Sequence, residues 1–179
     1  MLKLLGITAA SETQYGMSGH ERSLLYRFAC ETGLRAGEIR TLRAANLDFD
    51  ERTVMVSPLD TKNDDEAVLP LRQDTCEILK DFISRKHPEA PLFNLPSKYR
   101  MADMLRADLK AVGIDPADNG QGELDFHALR HSFGSLLAAA GVHPKTAQEL
   151  MRHSDINLTM LRYTHTLRGQ GAKAVREPT

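Results

Sequence analysis

Four residues in the last third of the chain have side chains that could act together on one substrate: His127, Arg130, His153 and Tyr163. Arginine and histidine supply positive charge and hydrogen-bond donors, and a tyrosine oxygen becomes a nucleophile when a neighbouring base removes its proton. These groups suit a phosphodiester that is held by cations and attacked by the tyrosine oxygen. The residue types therefore predict a site that handles phosphate.

Three short helices are predicted in this part of the chain, with His153 between the second and the third. The first runs over 127–140 and is closed by Gly141, the second over about 144–151, and the third over about 155–165. Pro144 suits the first position of a helix, because its missing N–H would have no partner there. The four residues would thus be presented from successive helices and, for His153, from the turn between two of them.

The first half of the chain predicts a long helix and a short helix with an arginine between them. Ser18 and Glu21 have the capping-box spacing at the start of the long helix, and Gly33 ends it. A short helix follows over about 37–43. Arg35 falls at the junction, where a side chain can leave the core and point into a cleft.

The runs 53–56 and 67–71 are rich in β-forming residues and predict a small antiparallel sheet. Lys62 lies in or near the turn that connects them, although it equally suits an ordinary solvated turn. Helices are predicted over 72–86 and 98–112. The expected fold class is therefore α+β and mainly helical.

Four parts of the chain resemble the tyrosine recombinase (phage integrase) family. They are 32–39 (TGLRAGEI), 127–133 (HALRHSF), His153, and 163–165 (YTH), in that order. Each is weak alone, but together, with a lysine in a predicted hairpin between the first two, they are specific. The similarity covers about 18–167.

The resemblance implies a tyrosine recombinase-like catalytic domain with a small antiparallel sheet at 18–167. Residues 1–17 would then form a lead-in or linker remnant, and 168–179 a flexible C-terminal tail. Members of the family usually carry an N-terminal DNA-binding domain as well. We therefore expect this chain to be a fragment or a reduced protein that binds DNA weakly by itself.

The resemblance also implies a mechanism. Tyr163 attacks a DNA phosphate and forms a 3′-phosphotyrosyl intermediate, which conserves the bond energy for rejoining. Arg35 and Arg130 hold the non-bridging oxygens, because a planar guanidinium meets two phosphate oxygens at once. Lys62 protonates the 5′-oxygen leaving group.

Two histidines complete the implied set. His127 helps to accept the tyrosine proton, and His153 forms a hydrogen bond with a phosphate oxygen. A base is needed because free tyrosine has a pKa of about 10. No metal or other cofactor is implied, since the arginines and the lysine supply the positive charge.

Two positions depart from the family's pattern. Arg152 stands where a glycine commonly precedes the second histidine, and Tyr163 follows His153 by ten residues, one more than the commonest spacing. One added residue turns a helix by about 100°. We expect the loop at 154–157 to absorb it.

The distribution of charged residues along the chain indicates what kind of partner the protein binds. The 179 residues have a formal net charge of −1, whereas residues 126–179 contain seven Lys and Arg against three Asp and Glu. A local basic face on a neutral protein is therefore expected, with Arg43 and Lys145 as candidate DNA contacts. The expected partner is double-stranded DNA, bound by a tetramer when the protein is full-length, while this fragment is expected to be a monomer.

The sequence also bears on location. Residues 1–10 are too short and too weakly flanked for a secretory signal, and no apolar run reaches the length of a membrane span. Cys30 and Cys76 lie within helical patterns, so a disulfide framework is not expected. The prediction is a cytoplasmic, nucleoid-associated protein that does not interact with membranes.

Three alternatives are left open. The same chemistry could serve a type IB-like topoisomerase, or a DNA-binding protein could keep the fold without catalysis and leave no covalent adduct. His127 and His131 are spaced i, i+4, as in some metal sites, so a metal-dependent nuclease is the third. Tyr163 also competes with other tyrosines as the nucleophile. They are Tyr15, Tyr26 and Tyr99.

Overall fold

A computed structural model describes residues 1–57, 67–117 and 124–166, without the side chains of residues 162, 165 and 166. The helices of these ranges are α1 (Leu2–Ala9), α2 (Gly19–Thr32), α3 (Ala36–Thr41), a 3₁₀ helix (Ala44–Asn46), α4 (Gln73–Ile83), α5 (Lys98–Ala111), α6 (His127–Ala139), α7 (Pro144–Met151) and α8 (Ile156–Thr166). None of these described helices is both long and apolar enough to cross a membrane.

A three-stranded antiparallel sheet accompanies the helices, in the order β1 (Leu47–Asp48), β2 (Thr53–Val56) and β3 (Ala67–Pro70). Val54 and Val56 are buried and Met55 between them is exposed, because alternate residues of a strand face opposite sides. The predicted α+β, mainly helical fold with a small antiparallel sheet is confirmed.

Helix α2 lies at the centre of the core. Its apolar stripe includes Leu24, Leu25 and Phe28, all buried, and the helix packs against α1, α4 and α6. The ring of Phe28 also lies 5.6 Å from that of Phe93, centroid to centroid. This packing sets the position of the α2 C-terminus, beside which Arg35 follows.

Helix α1 was not anticipated, since residues 1–17 were expected to form a lead-in with little pattern. Leu4 and Leu5 are buried against the core, and the hydroxyl of Ser23 donates to the carbonyl of Leu5 at 2.9 Å. A helix of this length is marginal alone and depends on tertiary packing, which a periodicity argument does not detect. The domain boundaries at 17 and 167 stay a prediction.

A buried ion pair joins α2 to α5 and to the segment before α2. Arg22 is fully buried and donates from Nε to Asp108 Oδ2 at 2.9 Å. Its Nη1 donates to the carbonyls of Met17 and Glu12, at 2.9 and 3.0 Å. The hydroxyl of Tyr26 donates to the same Asp108 oxygen at 2.7 Å. These bonds hold residues 12–17 against the core.

The helix ends differ from the predictions in detail. At the start of α2, Ser18 Oγ accepts from the backbone N–H of Glu21 at 3.1 Å, but the Glu21 carboxylate accepts from the N–H of Asn94 at 2.7 Å instead of completing the capping box. The predicted helices 37–43 and 72–86 are shorter than expected. They end at Thr41 and Ile83, and the chain leaves the helix after each of these residues.

Gly33 ends α2 as predicted and is essential to the junction with α3. Its φ of 62° lies in the left-handed region, and a Cβ added to it would lie 2.3 Å from Cδ1 of Phe133. Gly33→Ala should therefore lower the free energy of unfolding by about 2–4 kcal/mol, through backbone strain and overpacking. Urea unfolding followed by circular dichroism measures the loss.

Gly37→Ala is the matched control. Gly37 lies within α3, and a Cβ there would have nothing within 4 Å. Alanine should leave stability unchanged or raise it by about 0.5–1 kcal/mol, because it loses less backbone entropy than glycine. Equal effects at the two positions would contradict the role of Gly33.

Candidate active site

Arg35 occupies the N-cap position of α3. Its backbone N–H donates to Glu38 Oε2 at 2.6 Å, and its Nη1 donates to Glu38 Oε1 at 3.0 Å. The Arg35 side chain keeps 35% of its surface exposed, whereas the Glu38 side chain is buried. The carboxylate thus orients a guanidinium that solvent, or a ligand, can still reach.

Arg130 lies on the first turns of α6 and is only 3% exposed. Its guanidinium donates to the carbonyl of Gly33, at 2.5 Å, and to that of Met151, so it joins the ends of α2 and α7. Burial, and then the positive charge of Arg35, lower the pKa of Arg130 to about 10, while Glu38 acts in the opposite direction. The group therefore stays protonated at neutral pH.

Arg152 directs a third guanidinium to the same place. It ends α7 in the left-handed conformation, with φ 51°, and its Nη2 donates to Glu38 Oε2 at 2.5 Å. Arg35 and Arg152 thus share one buried carboxylate beside Arg130. Sequence reasoning had treated Arg152 only as a departure from a pattern, because its partner lies far away in the chain.

The two predicted histidines lie at the start of α6 and just after the end of α7. His127 begins α6, is exposed, and its ring meets that of His131 edge-on at 4.5 Å between centroids. His153 is half-buried, and its Nδ1 lies 2.9 Å from Thr159 Oγ1, a contact that orients the ring. Within the described ranges, no group of three His, Cys, Asp or Glu residues could hold a metal ion.

Tyr163 lies on α8 and is 5% exposed. Its hydroxyl donates to the carbonyl of Val142 at 2.6 Å, and its ring packs with Ala138 and Ala147. Burial raises the pKa of the phenol above its ordinary value. In this conformation the phenol is a neutral donor to the main chain.

The structure brings Arg35 and Arg130 together but leaves the Tyr163 hydroxyl apart from them. Arg35 and Arg130 meet at the α2–α3 junction, with the carbonyl of Met151 at the end of α7 among the Arg130 contacts. The Tyr163 hydroxyl binds at the other end of that helix, beside Val142. Helix α7 rises about 1.5 Å per residue, so about 10 Å separates these ends. Lys62 lies outside the described residues.

Comparison with known proteins decides the family. The sequence profile of the phage integrase family matches residues 4–169. The chain belongs to the phage integrase family. This confirms the resemblance seen in the four sequence motifs.

Individual relatives agree with this assignment. The tyrosine recombinase XerA of Saccharolobus solfataricus is 33% identical over 144 residues, which cover 79% of this chain and 45% of the relative. An integrase/recombinase of Escherichia coli is 31% identical over 204 residues, covering 88% of this chain and 58% of the relative. The chain therefore spans about half the length of these curated relatives.

Solved structures of the family share the fold. XerH site-specific recombinase, bound to a palindromic difH substrate in a post-cleavage complex, superposes with a TM-score of 0.74 at 20% identity, over 97% of this chain and 50% of that one. The catalytic domain of bacteriophage HP1 integrase gives 0.67 at 22% identity, over 99% and 90%.

The remaining predicted residues of this phage integrase family chain lie on its surface. Arg43 is exposed beside the 3₁₀ helix, and Lys145 is exposed on α7, where its Nζ donates to Gln148 Oε1 at 3.1 Å. Both are accessible to a partner. Their contact with DNA stays a prediction.

The other tyrosines differ from Tyr163 in their surroundings. Tyr26 is buried in α2 against Asp108, as its place in the amphipathic pattern predicts. Tyr99, on the first turn of α5, is 85% exposed, and Tyr15 lies in a turn under the guanidinium of Arg100, 5.1 Å away. Within the described residues, none of these three side chains forms a hydrogen bond with the arginine pair at the α2–α3 junction.

Proposed function

We propose that this chain is the catalytic domain of a site-specific DNA recombinase that breaks and rejoins double-stranded DNA through a 3′-phosphotyrosyl intermediate. The observation that carries the proposal is the meeting of Arg35 and Arg130 at the α2–α3 junction, in a chain of the phage integrase family. Two guanidinium groups at one place suit the two non-bridging oxygens of a phosphodiester.

The arginines act by electrostatic stabilisation. Arg35 is exposed enough to meet a phosphate. Arg130 is held in place by its hydrogen bonds to two backbone carbonyls. As the nucleophile attacks, negative charge grows on the phosphate oxygens, and fixed donors stabilise it without reorganisation. One such donor is worth about 3 kcal/mol of barrier.

The Tyr163 hydroxyl must give up its hydrogen bond to the Val142 carbonyl before it can attack a phosphate. The hydroxyl leaves the Val142 carbonyl and reaches the phosphate, which requires α8 to move relative to α7. The tyrosine oxygen then forms a bond to phosphorus as the bond from phosphorus to the 5′-oxygen breaks. The phenol proton passes to a base, for which His127 is proposed, and Lys62 protonates the departing 5′-oxygen. His153 donates to a non-bridging oxygen.

The biological role that fits this chemistry is integration, excision or resolution of a DNA element. The proposed partner is double-stranded DNA, bound by a tetramer of the full-length protein in the cytoplasm at the nucleoid. XerH, a structural neighbour, was solved with a DNA substrate after cleavage. No metal takes part in the proposed reaction.

Tyr163→Phe tests the nucleophile. On a nicked suicide substrate, in EDTA and low salt, the wild type should form a covalent protein–DNA band on a denaturing gel, and the variant should form none. Because the target site is unknown, a pool of random duplexes serves as the substrate. The lost hydrogen bond to Val142 costs only about 1 kcal/mol, so both proteins should stay folded.

Tyr99→Phe is the matched control, since the Tyr99 side chain is 85% exposed and is not a member of the predicted site. It should form the band at the wild-type rate. A band that survives in Tyr163→Phe would refute Tyr163 as the nucleophile. Saturable DNA binding by the wild type without any band would favour a non-catalytic DNA-binding protein, in keeping with the sequestered hydroxyl.

A further inference from the structure

Three arginine side chains lie near Glu38, and the proposed reaction assigns a role to only two of them, Arg35 and Arg130. The carboxylate accepts from Arg35 through Oε1 and from Arg152 through Oε2, at 3.0 and 2.5 Å. Arg130 lies close enough for both arginines to lower the pKa of its guanidinium. Three cations thus lie around one carboxylate, which leaves about two positive charges unbalanced within the cluster.

Arg152 is held there against its conformational preference. Its φ of 51° places a residue with a Cβ in the left-handed region, at a conformational cost that a glycine would avoid. The ion pair with Glu38 offsets part of this cost. The side chain is 15% exposed and points towards the arginine pair.

One guanidinium nitrogen of Arg152 can donate a further hydrogen bond. Nη1 is buried and has no hydrogen-bond partner among the described residues, whereas Nη2 is bound to Glu38. A buried donor left unpaired on a charged group destabilises the folded protein, because the group has lost its hydration without gaining a partner. A ligand oxygen at this point would remove that cost. Because the surrounding charge is positive, the ligand that fits is an anion.

We propose that Arg152 is a third phosphate-binding residue of this site, whose Nη1 donates to the same phosphate that Arg35 and Arg130 hold. The inference deepens the proposed function and rests on it. Glu38 accepts from the guanidinium groups of Arg35 and Arg152, and each guanidinium keeps further N–H donors for the phosphate. A guanidinium suits this task better than an ammonium, because its donors form a rigid fork.

Phosphate binding tests the inference without any DNA chemistry. Inorganic phosphate is titrated into the ¹⁵N-labelled protein at constant ionic strength, and the Nε–Hε signals of the arginines are followed by NMR. Saturable shifts of the Arg35 and Arg152 signals are expected in the wild type. Arg152→Gln, which keeps the side chain polar, should weaken the Kd for phosphate at least tenfold.

Arg27→Gln is the control, because Arg27 also pairs with a carboxylate, Asp74, at 3.0 Å, but lies outside the cluster. Its Kd for phosphate should equal that of the wild type. If Arg152→Gln unfolds, Arg152→Gly takes its place, since glycine relieves the positive φ while removing the same charge. Arg152→Lys should recover only part of the affinity.

The covalent assay then separates this inference from the function on which it rests. Arg152→Gln should form the protein–DNA adduct about 100-fold more slowly than the wild type. A phosphate Kd within twofold of the wild type, or no saturable shift of the Arg152 signal in the wild type, would overturn the role of Arg152. Phosphate binding that depends on Arg152, in a wild type that forms no adduct, would support the phosphate site and contradict the recombinase chemistry.

Discussion

Arg130→Met should slow formation of the covalent protein–DNA adduct by about 10²–10³-fold, the effect of removing one fixed donor from a charged transition state. Methionine keeps an unbranched apolar stem but has neither the charge nor the donors. The measurement is the initial rate of adduct formation on the nicked duplex. It is made at a temperature at which circular dichroism shows both proteins to be folded.

The same substitution should lower the free energy of unfolding by about 2 kcal/mol. The carbonyls of Gly33 and Met151 lose a buried donor, which costs about 1–3 kcal/mol each, while removal of a buried charge offsets part of the loss. Urea unfolding measures this effect separately from the rate.

Arg130→Lys distinguishes the two roles of the guanidinium. Lysine restores the charge but is a point donor, and it cannot span both carbonyls with a planar fork. We expect a rate between those of the wild type and Arg130→Met. If Arg130→Met forms the adduct within threefold of the wild-type rate, the guanidinium only joins α2 to α7.

Asp108→Ala should be the most damaging single substitution for stability, lowering the free energy of unfolding by about 3–5 kcal/mol. It leaves Arg22 charged, fully buried and without its carboxylate, and breaking a buried ion pair from one side has this magnitude. The hydroxyl of Tyr26 also loses its acceptor. Urea unfolding followed by circular dichroism gives the value.

Asp103→Ala is the control on the same helix. Asp103 pairs with Arg106 at 3.3 Å, but its side chain is 59% exposed, so water screens the pair. The expected change is within about 0.5 kcal/mol. A loss at Asp108 as small as that at Asp103 would show that the Arg22 pair contributes no more than a surface contact.

Local signals in the sequence were sufficient to predict most elements of the fold. Gly33 and Pro144 mark helix ends because their backbones favour those positions, and the β-forming residues of 53–56 do form a strand. These preferences act between near neighbours, so they can be read without the fold. Helix α1 could not be predicted, because packing against α2 stabilises it.

The sequence likewise indicated one part of the candidate site, and only the structure showed the rest. The order and spacing of the motifs sufficed to identify the family, and they made Arg35, Arg130 and Tyr163 the candidates for the site. The sequence could not indicate that Arg152 would meet Glu38, 114 positions away, or that the Tyr163 hydroxyl would bind Val142. Such contacts depend on how complete helices pack.

Residue types and spacing, with the family resemblance that they carry, therefore predicted the class of chemistry and the helices that would present it. The tertiary structure decided which groups are paired, buried or held away from the arginines. The reason is physical: burial and ion pairing depend on distances between helices, as in the Arg22–Asp108 pair across 86 positions. Local preference carries no information about those distances.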